Sequence, residues 1–225
     1  MFDARQLLDQ VMGALPPEVR RGQAPGGSGQ LLAGALAGGV LGLLAGNKRA
    51  RKLAGKTAGT ALKLGGLAAV AAIGYTAWQR HRGAVGAGLQ LPPADSDFAP
   101  ARAPGGEDAL ARGIMVAMIQ GAKADGHIDA DEHARIFGQI EVLGLDVEAK
   151  AFVMDELAAP ADVTRVARHA ATPEVAAELC AAALLAMDPD TAEERLFLTR
   201  LQAALGLDAA LTRQIEDAVR AAADG

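Results

Sequence analysis

The chain has 225 residues, half of them hydrophobic but only 3% aromatic, with 22 Lys and Arg against 27 Asp and Glu. That apolar fraction excludes a generally disordered chain. A single cysteine, Cys180, excludes both an intramolecular disulfide framework and a cysteine-built zinc knuckle.

The net charge of −5 conceals a division. Residues 1–106 carry 12 basic and 5 acidic side chains, whereas residues 107–225 carry 10 basic and 22 acidic, so the halves stand at +7 and −12. No acidic residue lies between Glu18 and Asp95, yet eight Lys or Arg fall between Lys48 and Arg82. Such asymmetry points to an anionic surface as the partner of the first half.

In chain order, Met1 to Leu15 reads as a short amphipathic helix, with Phe2, Leu7, Leu8, Val11 and Leu15 near helical spacing and Pro16-Pro17 ending it, inside an N-terminal unit of residues 1–21. Asp3 and Asp9 interrupt it and no apolar core follows, so it is not a secretory signal. Residues 22–29, GQAPGGSG, form a flexible linker.

Residues 31–82 read as a basic, Gly/Ala-rich, membrane-associated helical region. Leu31 to Ala45 is uncharged, and Gly34, Gly38, Gly42 and Gly46 recur every four residues. On a helix they make a stripe that admits another backbone, as in small-xxx-small membrane packing or a homo-oligomer. Six basic residues follow between Lys48 and Lys63, and Leu64 to Trp78 is again uncharged. A bilayer core needs roughly 20 helical residues. The second stretch reaches that length from about Gly59 to 79 if Lys63 snorkels, and Tyr75 and Trp78 then sit at an interface. The first suits a re-entrant, interfacial or oligomerising helix, or the second arm of a hairpin. In the competing reading both are buried helices of a soluble bundle, against which stands the cost of about 1 kcal/mol for each interior Gly relative to Ala. Nucleic acid is not expected, because the cations are not interleaved with stacking aromatics. The positive-inside rule puts residues 47–63 in the cytoplasm, which with one span from about 59 to 79 makes the acidic half periplasmic, whereas a hairpin leaves the topology open. Residues 83–106, rich in Gly, Pro and Ala, read as a flexible linker.

Residues 107–225 read as an acidic, all-helical domain. The pattern predicts helices near 107–124, 130–143, 147–158, 161–170, 173–187, 191–205 and 209–223. Gly144-Leu145-Asp146 and Gly206-Leu207-Asp208 each supply a left-handed C′ glycine, a hydrophobic contact and an Asp N-cap, and Thr172-Pro173 is a cap followed by Pro at N1. The same 62-residue offset relates Ala124 to Ala186, Glu132 to Glu194, Ile136 to Leu198, Leu143 to Leu205 and Val153 to Ile215, which a duplicated helix pair explains.

Ala124-Asp125-Gly126-His127-Ile128 with Glu132, and Met187-Asp188-Pro189-Asp190 with Glu193-Glu194-Arg195-Leu196-Phe197-Leu198, resemble the two acidic helix-turn-helix motifs of the TerB-like (tellurite-resistance) fold. Gly46 to Gly55, with Leu64-Gly65-Gly66-Leu67-Ala68 and Tyr75, is similar to the N-terminal half of the YebE family of bacterial inner-membrane proteins, which ends in such a domain. The resemblance implies an all-α protein at the inner membrane, in which Asp125 and Glu132 face Asp188 and Glu194 as a shared metal site. Pro189 stands where the motif has glycine.

The residues themselves leave that site open. Asp125-Gly126-x-Ile128-x-x-x-Glu132 has the spacing of the second half of an EF-hand loop, but Gly121 and Lys123 fall on the two earlier ligand positions, so a complete calcium loop is excluded. Asp129 with Glu132, and Asp190 with Glu193, also have the D-x-x-E spacing of a capping box. Caps alone, a weak divalent-cation site, or a transition-metal site drawing on His127 and His133 are the three readings. Cys180, amid Leu179, Ala181 and Leu184, reads as a small buried hydrophobe, and His169 as a dipole partner at a helix C-terminus. No G-x-S-x-G, P-loop or H-E-x-x-H occurs. The expectation is a membrane-tethered, non-enzymatic interaction or stress-response module recruiting a protein partner through its acidic domain; the alternative is a soluble metal-sensing or metal-sequestering protein.

Overall fold

The computed structural model describes residues 3–11, 66–86, 88–125, 147–187 and 189–224. Among them lie eight α-helices: α1 (Ala4–Val11), α2 (Gly66–His81), α3 (Gly106–Ala122), α4 (Val147–Ala158), α5 (Val163–Ala167), α6 (Pro173–Ala186), α7 (Ala192–Ala204) and α8 (Ala209–Asp224), with a 3₁₀ turn at Pro100–Arg102 and no strand. The all-α expectation holds for these residues. Helix 130–143, Gly144-Leu145-Asp146, the linker 22–29, the glycine stripe Gly34, Gly38, Gly42 and Gly46, and the basic run 47–63 lie outside the described residues.

The centre of the bundle is α6, where every residue from Val175 to Ala186 is buried. A helix apolar all round has no solvent face to spend, so it must be enclosed. α3 lies along one side, and α2 and α8 close another. The α3–α6 contact is set by a glycine: a Cβ on Gly121 would stand 2.7 Å from the Ala183 carbonyl oxygen, so only glycine admits this approach. α1 packs on α3 and α2 through Ala4, Leu7 and Leu8. The Ala4 amide donates to Asp108 Oδ1 at 2.7 Å, Arg5 pairs with Glu107, and Asp9 Oδ1 accepts the first amide of α2, from Gly66, at 2.9 Å.

Helix boundaries follow the punctuation of the sequence. Thr172 Oγ1 accepts the Val175 amide ahead of Pro173. Gly206 (φ +68°) ends α7 in a Schellman motif, with Leu207 N–H donating to the Gln202 carbonyl and Gly206 N–H to that of Ala203. Asp208 Oδ1 then accepts the Ala210 and Leu211 amides, both at 2.8 Å.

Two expectations change. The stretch expected to span a bilayer over about 59–79 is, from Gly66 on, a 16-residue helix whose Leu67, Val70, Ile73 and Ala77 are buried against the protein's own α6 and α8. Gly, Ala and Val satisfy a protein interior as well as they satisfy lipid, and here the neighbouring helices occupy that face. Among the described residues no helix is long and apolar enough to cross a membrane. Secondly, residues 88–105, read as part of a flexible linker, run as a strap against the bundle. Phe98 is 3% exposed, Ala99 and Ala103 are buried, and the Gln90 amide donates to Thr76 Oγ1 on α2 at 2.8 Å. One aromatic and one cross-link thus hold a segment whose composition alone reads as a tether.

Candidate functional site

Of the four carboxylates expected to share a cation, Glu132 and Asp188 lie outside the described residues. Asp125 is exposed just beyond the C-terminus of α3. Glu194 closes a capping box at the start of α7: Thr191 Oγ1 accepts the Glu194 amide at 3.2 Å, and Glu194 Oε2 accepts the Thr191 amide at 3.0 Å. The box was expected on Asp190 and Glu193. It forms one residue later because the Thr191 hydroxyl takes the N-cap, while Arg195 donates to the carbonyls of Pro189 and Asp190. Among the described residues no group of three or more His, Cys, Asp or Glu is arranged to hold a metal ion. His127 and His133 are outside them.

The chemistry that the structure does bring together is a buried polar network at the α4–α5 corner. Glu156 is 4% exposed and Lys123 5%. Arg165 donates twice to the Glu156 carboxylate, Nε to Oε2 at 3.0 Å and an Nη to Oε1 at 2.6 Å, and Gln120 Nε2 donates to Oε2 at 3.2 Å. Gln120 Oε1 in turn accepts the Asp162 amide. Lys123 Nζ donates to the carbonyls of Glu156 and Ala159, capping the end of α4. Burial pushes the Glu156 carboxyl up, but the hydrogen bond and charge of Arg165 outweigh it and hold the group below its usual range. Burial likewise lowers the Lys123 ammonium, against the attraction of Glu156. These side chains partner one another, so the network fixes the α4–α5 corner.

Elsewhere two buried ionisable groups stand in apolar surroundings. The Cys180 thiol is fully buried and pushed up to about 12, chiefly by burial, which makes it an inert small hydrophobe as expected. Glu178 is 1% exposed, and its Oε1 has no hydrogen-bond partner among the described residues. Burial, with the nearby charge of Glu174, raises its carboxyl to about 8. His169 lies two residues past the end of α5, as expected, and burial together with the charge of Arg168 lowers its proton affinity.

Two open clefts flank α2. One, of about 540 Å³, lies between its C-terminal turn, the 170–173 turn and Leu205 to Leu211; His81 Nε2 stands 3.4 Å from Asp208 Oδ2 beside it. The other, of about 300 Å³, is bounded by Tyr75, Trp78, Phe98, Asp95, Asp97 and Glu174.

Reading the sequence missed both buried glutamates. Glu178 had a signal, as the one acid between Val175 and Ala186. Glu156 had none, because its partner lies nine residues on, across a helix break.

Neither a curated protein nor a solved structure matches the chain. A family model does, over residues 30–219, and the span joins the basic Gly/Ala-rich region to most of the acidic half. The chain therefore belongs to DUF533, a family described as of unknown function.

Proposed function

We propose that this protein is a membrane-tethered, non-enzymatic interaction module of the YebE-like kind, held at the bacterial inner membrane by its basic half and recruiting a protein partner through a TerB-like acidic bundle. The observation that carries the reading is the segregation of charge, +7 over residues 1–106 and −12 over 107–225, with residues 19–94 free of acid. Anionic lipid attracts Lys and Arg at about 1 kcal/mol each, and an acid-free run avoids the opposing repulsion.

The junction supports it. The basic residues between Lys48 and Lys63 lie 3 to 18 positions before α2, and the first amide of α2 is tied to Asp9. A contact between that run and lipid headgroups holds the bundle close to the bilayer. At the other end of α2, Arg82 is exposed, adding a cation to the same half of the chain.

The test is flotation of the full chain with vesicles of phosphatidylcholine alone or with added phosphatidylglycerol. The expected result is flotation with the anionic vesicles, reduced about 10²–10³-fold when Lys48, Arg49, Arg51 and Lys52 are all changed to Gln. Equal flotation of the variant and the native chain, or none with anionic vesicles, overturns the reading.

A further inference from the structure

The seam between α2 and α6 contains a carboxyl group in an apolar setting. Glu178 reaches it from α6, Gly74 lies opposite on α2, and Phe98 covers both from the strap. A Cβ added to Gly74 would stand 3.1 Å from Glu178 Cγ and 3.2 Å from Phe98 Cε1, so the three meet at one point. The Phe98 ring also packs edge-on against Tyr75 and Trp78, with centroids 5.8 and 5.6 Å apart. Beyond Phe98 lies the cleft of about 300 Å³, bounded in part by Glu174, one turn before Glu178 on α6.

The charges around Glu178 are few. On α6 Glu174 acts on it directly. α2 brings Tyr75 and Arg82, and the strap brings Asp95 and Asp97, all at the cleft. α8 brings Glu216, whose charge acts on Cys180. The charged residues of α3, Glu107, Asp108 and Arg112, lie toward its start, and Lys123 lies just past its end. None of these donates a hydrogen bond to Glu178 Oε1.

We propose that Glu178 is a proton-operated latch: in its acid form it lets Phe98 hold the strap over the α2–α6 seam, and on ionisation it draws water into the seam and lifts the strap. An ionised carboxylate without a partner cannot remain in an apolar site. Hydration by displacing α2 would expose Leu67, Val70, Ile73 and Ala77, whereas hydration through the strap exposes chiefly Phe98 and breaks the Gln90–Thr76 hydrogen bond. The second route is cheaper, and it leads directly into the existing cleft. The inference is independent of lipid binding.

The chain provides its own reporter, because Trp78 is its one tryptophan and touches Phe98. Acrylamide quenching and the emission maximum of the full chain are to be followed from pH 5.5 to pH 9. The expected result is a rise in quenching and a red shift centred at about pH 8, absent in Glu178→Gln and displaced to lower pH in Glu174→Gln, which removes the nearby like charge. No transition in the native chain, or the same transition in Glu178→Gln, overturns the latch. If Glu178→Gln does not fold, Glu174→Gln decides: a lower midpoint supports the latch and an unchanged one overturns it.

Discussion

Two glutamates, Glu156 at the α4–α5 corner and Glu178 at the α2–α6 seam, are 4% and 1% exposed and yet are driven in opposite directions. Burial raises the proton affinity of both. At the corner, Arg165 supplies two hydrogen bonds and a positive charge, so the carboxylate is favoured in spite of burial. At the seam the neighbours are Gly74, Phe98 and Glu174, and the acid form is favoured. The degree of burial therefore does not decide whether a buried carboxyl is a rivet or a switch; the partner does.

The strongest test removes the partner at the corner. Arg165→Met should destabilise the protein by about 3–5 kcal/mol at pH 7, read by urea denaturation, because it leaves a buried charge without its main donor. The sign of the pH dependence should also reverse. In the native protein the lowered Glu156 contributes stability above the ordinary carboxylate range, and that contribution is lost as the pH falls through the lowered value. In the variant burial acts with less opposition, so acidification should relieve the defect and narrow the gap to the native chain. A small loss that does not vary with pH would show that burial, not Arg165, governs Glu156.

The seam predicts a smaller effect of opposite sense. Since Glu178 is raised from 4.5 to about 8 on folding, its contribution is fully present below about pH 4.5 and is lost as the pH rises through about 8. Glu178→Gln should match the native unfolding free energy in urea at pH 5 and exceed it at pH 9, by on the order of 2 kcal/mol. An equal shift at both values would make the side chain a packing element, with ionisation playing no part.

The difference between the two glutamates also explains what a sequence reader can see. Helix ends were legible because their chemistry is local: Thr172-Pro173 and Gly206-Leu207-Asp208 make their hydrogen bonds within a few residues. Helix 173–187 was placed to within a residue for the same reason, and helix 147–158 has both of its expected bounds. The position of α2 was not legible, since an uncharged Gly/Ala/Val helix is acceptable to lipid and to α6 alike, and only the complementary face of α6 and α8 decides between them. The strap was illegible because it hangs on the Phe98 ring and the Gln90–Thr76 hydrogen bond, among residues that otherwise signal a linker. Of the expected cation site, Asp125 and Glu194 were found at helix ends, where local spacing alone accounts for Glu194.

A third carboxylate completes the series and should show the smallest effect. Glu194 is not deeply buried like Glu178 and, among the described residues, has no ion pair like that of Glu156; it accepts from the Thr191 amide and hydroxyl at a helix start. Thr191→Ala should cost about 1 kcal/mol. Glu194→Gln should cost roughly half of that, because Gln still fills a capping box and only the charge at the positive end of α7 is lost. Both losses, read from thermal melts of the full chain, should be the same with calcium, magnesium, manganese or zinc as with chelator, since a cap acts through amides and needs no cation. The opposite outcome is equally specific. A bound cation stabilises the fold by RT ln(1 + [L]/Kd), so a rise in melting temperature with one ion that disappears in Glu194→Gln and in Asp125→Asn would make both residues ligands. Glu194 would then join the shared acidic site implied by the TerB-like resemblance, and its capping box would be the scaffold that orients it.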